Sequence, residues 1–361
     1  MTNSAFVPTL RQQISVSFAY LAYIGEELAG NDPTRTAEQI LHRMKATMPD
    51  IKPLHKDGQL DWEIVWGPAV YTFHLPDAKF QDNMMYVAQQ KSDPSNYVVG
   101  IRGTNSHAIW DFIVEDLLVL HKIPWTMPEG VVAEGQPTIS QSTQDGLNVL
   151  LYDLVPMQGI PGFGHSITAF LNDRAALGKI NVLFTGHSLG GALAPTLALW
   201  FKQSQNIPGN WNPNGNATIS TVPFAGPTVG NADFAKLFDQ QLGNACERIH
   251  NTLDIVPHAW EIKQLKELPD LYHPTINMPL DLRLLLDGLE LIASGYTQVN
   301  TSLPITWTIQ PTEPGGFLPD YLKQVIVQHN SSYPTLMQVT ELMTTPEHLH
   351  IRKPKQSLSI L

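Results

Sequence analysis

Residues 180–201 read INVLFTGHSLGGALAPTLALWF, and this stretch decides the fold. It contains no charged residue, and at 22 residues it is long enough to cross a bilayer. However, three glycines, Ser188 and Pro195 would interrupt a uniform membrane helix, whereas the opening INVLFT favours a strand. We therefore predict a buried strand, a tight turn and a buried helix, and no transmembrane segment.

Within this stretch, Gly186-His187-Ser188-Leu189-Gly190 fits the pattern G-x-S-x-G between a strand and a helix. The glycines remove side chains that would collide at so sharp a turn. The hydroxyl of Ser188 would then be a nucleophile, and the backbone N–H of Leu189, at a helix N-terminus, would stabilise an oxyanion. His187 is expected to pack beside Ser188 in a structural role. The alternative is a glycine-rich turn with an incidental serine.

The composition excludes several classes of protein. Of 361 residues, 43% are hydrophobic and only 15% are charged, which argues against a disordered chain or a coiled coil. The net charge of −11, without a basic stripe, argues against nucleic acid as a partner. The single cysteine, Cys246, excludes an intrachain disulfide. Met1–Leu10 contains no Lys or Arg, so we expect no secretion signal, which leaves the cytoplasm or leaderless export open.

Strand-like and helical segments alternate along the chain, which predicts an α/β fold with a mainly parallel central sheet flanked by helices. The predicted strands are 63–73, 84–89, 97–102, 180–185, 217–224 and 245–250. The predicted helices are 37–48, 109–120, 140–154, 167–177 and 234–238. Ligands of such sheets bind at the carboxyl ends of the strands.

We interpret residues 1–361 as one domain with three additions to its core. The first is a helical N-terminal extension, residues 1–60. The second is an insertion or cap, residues 259–320, with a leucine-rich helix (281–293) and a β-like piece (305–309). The third is a C-terminal tail, residues 334–361.

Four ordered motifs resemble the class 3 lipase family, which includes the secreted fungal triacylglycerol lipases. They are GHSLGGALA from residue 186, IRGT at 101–104, FAGPTVGNADFA at 224–235 and RIHNTLDIVP at 248–257. The resemblance implies an α/β-hydrolase fold with a family core at 97–333, a lid or cap insertion, and a Ser-Asp-His triad. Such chemistry needs neither a metal nor an organic cofactor.

Asp254 follows a predicted strand and aligns with the catalytic aspartate of that family. A carboxylate is needed there because it orients a catalytic imidazole and stabilises its cationic form. The alternative is an Asx turn or cap before Pro257. The nearest rival acid, Asp233, is expected to cap the short helix that follows it.

The base should follow the acid in the chain, which leaves five candidates. These are His258, His273, His329, His348 and His350. His329 is preferred because HNSSYPTL resembles the family's H-x-x-x-Y surroundings, with Tyr333 as a packing or positioning residue. His348 and His350 stay as alternatives. Their HxH spacing is typical of zinc ligands, but no Cys or further His accompanies them, so we predict a solvated tail.

The resemblance implies that Thr104 supplies a second oxyanion donor. It also implies that the following helix is a lid, with Trp110, Phe112 and Ile113 on its apolar surface. The alternatives are a Gly-containing turn at Thr104 and a buried helix that does not move. The helix at 280–291 could equally cap the acyl pocket.

The predicted function is that of a serine carboxylic-ester hydrolase, foremost a lipase that acts on acylglycerols at lipid surfaces. Two other enzymes would use the same triad: a phospholipase A, conceivably an exported toxin, and a short-chain esterase. The non-enzymatic alternative is a binding protein with an inactive hydrolase fold.

Overall fold

A seven-stranded mixed sheet organises the chain. The computed structural model describes residues 6–28, 33–75, 78–103, 121–125, 134–292, 295–299, 302–311 and 319–343. In spatial order the strands are Ser302–Ile305 (β11), Arg248–Asn251 (β10), Ala217–Phe224 (β9), Ile180–His187 (β8), Asn96–Ile101 (β5), Ala78–Gln90 (β4) and Trp62–Leu75 (β3). Two small antiparallel pairs lie outside it, His55–Lys56 (β1) with Gln59–Leu60 (β2), and Lys122–Pro124 (β6) with Thr138–Ser140 (β7).

Five neighbouring strands of the sheet are mutually parallel, namely β5, β8, β9, β10 and β11. The strand β4 pairs antiparallel with β5, and β3 pairs antiparallel with β4. The predicted α/β fold with a mainly parallel sheet is therefore confirmed. Ile101 pairs with Gly186 and His187 pairs with Phe224, so β5, β8 and β9 end at the same edge of the sheet. Ser188 follows β8 directly at that edge.

Helices surround the sheet. They are Leu10–Leu21 (α1), Pro33–Thr47 (α2), Gln141–Asn148 (α3), Ile167–Leu177 (α4), Leu189–Ser204 (α5), Ala232–Leu242 (α6), Ile262–Leu265 (α7), Leu280–Ile292 (α8), Asp320–Asn330 (α9) and Ser332–Leu336 (α10). The prediction of strand, turn and helix for 180–201 is confirmed by β8 and α5. Among the described residues, no helix has both the length and the apolar character needed to span a membrane.

Side chains alternate between two apolar clusters, one on each face of the sheet. On β5, Val99 packs into the cluster on the side of α3 to α6, and Val98 packs into the cluster on the side of α1 and α2. This is the period of two that a strand buried on both faces requires. In α1, Val16 and Phe18 are completely buried, and burial of one such side chain contributes roughly 1.5–3 kcal/mol.

The segment 259–320 contributes more to the sheet than the sequence suggested. The β-like piece was expected at 305–309, but the strand is β11, Ser302–Ile305, and it pairs in parallel with β10. Pro304 is tolerated because β11 is an edge strand, where one missing N–H donor is not needed.

The cap of α6 was also predicted wrongly. Asn231, not Asp233, is the N-cap residue, and its side chain accepts a hydrogen bond from Phe234 N. Asp233 lies in the first turn of α6 and accepts a hydrogen bond from Gln136 N at 2.8 Å. Both residues suit a helix start, and the extended backbone at Asn231 decides which of them caps it.

Candidate active site

Ser188 occupies a strained turn between β8 and α5. Its backbone has φ of 61° and ψ of −128°, a combination that non-glycine residues rarely adopt. Backbone strain of this kind costs about 1–3 kcal/mol and persists only where the surrounding structure enforces it. Such residues cluster at functional sites. The turn therefore marks Ser188 as a candidate nucleophile independently of its motif.

Glycines make this turn possible because backbone packs directly against them. A Cβ atom at Gly186 would collide with the carbonyl oxygen of Gly190, and one at Gly190 with the carbonyl oxygen of Ile101 in β5. A Cβ atom at Gly191 would collide with the carbonyl oxygen of Phe224 at the end of β9. The glycine pattern of the sequence is thus a requirement for α5 to begin so close to the sheet.

Asp254 and His329 form a buried pair. Nδ1 of His329 donates to both carboxylate oxygens of Asp254, at 2.8 Å to Oδ2 and 3.0 Å to Oδ1. Neither side chain has any solvent exposure. The carboxylate is also bound by the Tyr333 hydroxyl, 2.7 Å from Oδ2, and by Val256 N, 3.1 Å from Oδ1. A charged group at this depth needs such partners, since an unpaired buried charge is costly.

The other ring nitrogen of His329 is available for chemistry. Because Nδ1 carries the proton that is donated to Asp254, the neutral imidazole has a lone pair on Nε2. Nε2 is buried and has no hydrogen-bond partner in the described part of the chain. The ring of His329 lies 4.4 Å, centroid to centroid, from that of His187, the residue before Ser188. The ring of His329 therefore lies close to the residue that precedes Ser188.

The helix that carries His329 is joined to the end of β10 by amide side chains. Asn251, at the end of β10, donates through Nδ2 to Oε1 of Gln328 at 2.8 Å. The Asn251 side chain also accepts hydrogen bonds from Leu253 N and Trp307 N, both at 3.2 Å. Asn251 and Gln328 are completely buried. This network ties α9 to the loop on which Asp254 lies.

Of the two predicted oxyanion donors, Leu189 lies within the described residues and Thr104 does not. Leu189 is the first residue of α5, where backbone N–H groups have no partner within the helix. Thr104 lies outside the described residues, as do Trp110, Phe112 and Ile113 of the predicted lid. The described segment 78–103 ends at Gly103, where a Cβ atom would lie 3.1 Å from Cβ of Ser188. The backbone thus passes Ser188 at the residue before Thr104.

The remaining candidates have other neighbours or lie outside the described residues. Nδ1 of His258 is 3.7 Å from Glu267 Oε2, and Nδ1 of His273 is 3.2 Å from Asn277 Oδ1. His348 and His350 are outside the described residues. Among the described residues, no group of three or more His, Cys, Asp or Glu side chains could hold a metal ion.

The N-terminal helix α1 and the turn that follows it contribute residues that sequence reasoning missed. The hydroxyl of Tyr23 lies 3.0 Å from Nδ1 of His187, and the hydroxyl of Tyr20 donates to Asn330 O at 2.8 Å. Burial, and next the neighbouring His329, hold the pKa of His187 well below its usual value, so its ring is neutral. The two tyrosines, one in α1 and one in the turn after it, are typical of a packed core, and no motif distinguishes them.

The family model of the class 3 lipases matches residues 98–263. The crystal structure of M37 lipase is 37% identical in sequence, with a TM-score of 0.79 over 93% of this chain and 95% of that chain. A lipase of Caenorhabditis elegans is 30% identical over 142 residues, 36% of this chain and 36% of that protein.

Phospholipase A1-II 4 of Oryza sativa subsp. japonica is 33% identical over 87 residues, 24% of this chain and 21% of that protein. This chain thus spans only about a fifth of the length of the rice phospholipases that it matches. Together these relatives support a carboxylic-ester hydrolase of the lipase or phospholipase type.

Proposed function

The chain belongs to the class 3 lipase family, and from that premise we propose that it is a serine carboxylic-ester hydrolase acting on lipid esters. Ser188 is the nucleophile, His329 the general base and Asp254 the acid that orients it. The observation that carries the proposal is the buried pair of His329 and Asp254, in which Nε2 of His329 has no hydrogen-bond partner among the described residues.

The chemistry follows from this pair. Nε2 of His329 accepts the proton of Ser188 as the serine oxygen attacks the ester carbonyl. The negative oxygen of the tetrahedral intermediate is stabilised by the N–H groups of Leu189 and Thr104. The imidazolium then protonates the leaving alcohol, which leaves an acyl-enzyme. Water, activated by the same imidazole, releases the fatty acid and restores the serine.

Acylglycerols are the proposed substrates. The match with M37 lipase over nearly the whole of both chains favours a lipase. The second candidate is phospholipase A1 activity, which the shorter matches to the rice phospholipases favour. Initial rates on triolein emulsion, phosphatidylcholine vesicles and a soluble p-nitrophenyl butyrate would separate the two. We expect the highest rate per enzyme on triolein, and a higher rate on the vesicles would favour the phospholipase.

Labelling with a fluorophosphonate probe tests the nucleophile directly. We expect the wild-type chain to be labelled at Ser188, and Ser188→Ala to lose the label and roughly 10⁵–10⁶-fold in kcat. Ser204→Ala is a matched control because Ser204 is buried in the same helix and its hydroxyl donates to backbone carbonyls of that helix, at Trp200 and Phe201. It should keep both label and activity. Retention of most activity by Ser188→Ala would overturn the proposal.

A further inference from the structure

The last two carbonyl groups of α9 are bound from outside the helix. A helix leaves its final carbonyls without partners of its own, and here those of His329 and Asn330 are both satisfied by side chains. Nε2 of His187 donates to His329 O at 2.9 Å, and the Tyr20 hydroxyl donates to Asn330 O at 2.8 Å. Both bonds hold the backbone at the residue whose side chain meets Asp254.

The bond from His187 fixes its tautomer. A carbonyl oxygen only accepts hydrogen bonds, so Nε2 of His187 must carry the proton, and Nδ1 of the neutral ring is then an acceptor. The hydroxyl of Tyr23 lies 3.0 Å from Nδ1 and 3.1 Å from the carbonyl oxygen of His187. Burial raises the pKa of Tyr23 well above its usual value, so the hydroxyl keeps its proton. The single proton of this hydroxyl has two acceptors within reach, so Tyr23 contacts both the ring and the backbone of His187, and the same ring donates to the His329 backbone.

Ring packing supports the same connection. The ring of His187 lies 4.9 Å from that of Tyr20 and 4.4 Å from that of His329, centroid to centroid. Tyr20 and Tyr23 are each only 6% exposed. The imidazole of His187 is therefore enclosed between the N-terminal helix and the histidine that it helps to hold.

We propose that Tyr20 and Tyr23 are positioning residues for His329, so that helix α1 and the turn after it are part of the catalytic apparatus. Tyr20 acts directly on the end of α9, and Tyr23 acts through His187. This inference rests on the proposed function, in which His329 takes the serine proton. Neither tyrosine touches the reacting atoms, and their effect is on where the imidazole lies.

Tyr20→Phe and Tyr23→Phe test the inference because each removes a single hydroxyl. We expect kcat on a soluble ester to fall by about 10-fold in each variant and about 100-fold in the double variant, with KM within about 2-fold, since misplacement by about 1 Å costs up to about 100-fold in rate. Tyr86→Phe is the matched control. Its buried hydroxyl also donates to α1, at Phe18 O, but it has no bond to His187 or to α9. It should keep kcat while losing similar stability.

The route through His187 is tested separately. His187→Gln keeps a side-chain N–H that reaches toward His329 O, whereas His187→Leu does not, so the glutamine variant should retain the higher kcat. In the His187→Leu background, Tyr23→Phe should add less than its full loss, because its contact with the His187 ring is already gone and residues on one path are not additive. An additional full loss there would show that Tyr23 does not act through the His187 ring.

Two outcomes distinguish this inference from the proposed function. If Ser188→Ala abolishes hydrolysis but the tyrosine variants lose no more kcat than Tyr86→Phe, positioning is wrong and the hydrolase stands. The second readout needs no activity: the low-field proton NMR resonance of the His329 imidazole, assigned by its loss in His329→Ala. It should shift or broaden in Tyr20→Phe and Tyr23→Phe but not in Tyr86→Phe. An unchanged resonance in all three tyrosine variants would overturn the inference, whatever the activity of Ser188→Ala.

Discussion

Ser188 owes its position to backbone packed against a few glycines, whereas His329 owes its position to side chains from distant parts of the chain. Near Ser188, the carbonyl oxygens of Ile101 and Phe224 occupy the space that a Cβ atom at Gly190 or Gly191 would need. The ring of His329 donates to Asp254, 75 residues away, and its backbone carbonyl accepts a hydrogen bond from His187, 142 residues away. A local motif therefore builds one half of the candidate site, and a long-range network builds the other.

The largest loss of kcat in this comparison is expected from a substitution in the hydrogen-bond network around His329. Asp254→Asn keeps the shape of the acid but favours the wrong tautomer of His329, so kcat should fall by about 10⁴-fold. Asp233→Asn is the matched control, because Asp233 accepts only from Gln136 N at the surface. Steady-state rates of both variants on a soluble ester check this. Equal losses in the two variants would contradict the assignment of Asp254.

A smaller loss of activity is expected from a substitution at one of the glycines that surround Ser188. In Gly190→Ala the new methyl group collides with the Ile101 carbonyl, so β5 and α5 must separate. We expect the free energy of unfolding to fall by about 1–3 kcal/mol, and kcat/KM to fall by about 100-fold. Denaturant unfolding and initial rates measure the two quantities.

Gly288→Ala in α8 is the control for that substitution, because a Cβ atom there meets nothing within 4 Å. It should raise the free energy of unfolding by up to about 1 kcal/mol, since alanine favours a helix over glycine. If both glycine variants behave alike, the close approach at Gly190 does not hold the turn.

The smallest effect is expected for the Tyr333 hydroxyl. Tyr333→Phe removes the 2.7 Å bond to Asp254 Oδ2 but leaves the Val256 N–H and His329 on the carboxylate. A hydrogen bond to a charged group contributes about 1.5–3 kcal/mol, so a loss of about 10-fold in kcat is expected. Tyr321→Phe, which loses a bond to Leu268 O instead, should leave kcat unchanged. A loss of kcat in Tyr321→Phe as large as in Tyr333→Phe would refute a specific role for the hydroxyl.

Much of the fold could be predicted from the sequence because its signals are local. The uncharged run at 180–201, with glycines at the turn, specifies β8 and α5. The edge strand β11 was harder to delimit, because Pro304 interrupts a pattern that only pairing with β10 completes.

The candidate site was predictable to the extent that motifs carry it. The order of Ser188, Asp254 and His329 follows from the family's motifs, and the structure brings the last two into contact. The roles of Tyr20 and Tyr23 have no such signal, because a tyrosine that donates to a remote carbonyl has the same sequence pattern as one that fills a core. Thr104 and the lid stay predictions.

Arg102 connects the turn after the N-terminal helix to the backbone beside Ser188. Its buried guanidinium donates to Ala22 O at 2.7 Å and to Ile24 O at 2.9 Å, and the next residue, Gly103, passes Ser188. Trimming the leading segment or fusing a bulky tag to it would thus disturb the proposed active site around Ser188, even though every residue of the lipase motifs is intact. Expression designs should leave residues 10–24 untouched and place handles elsewhere.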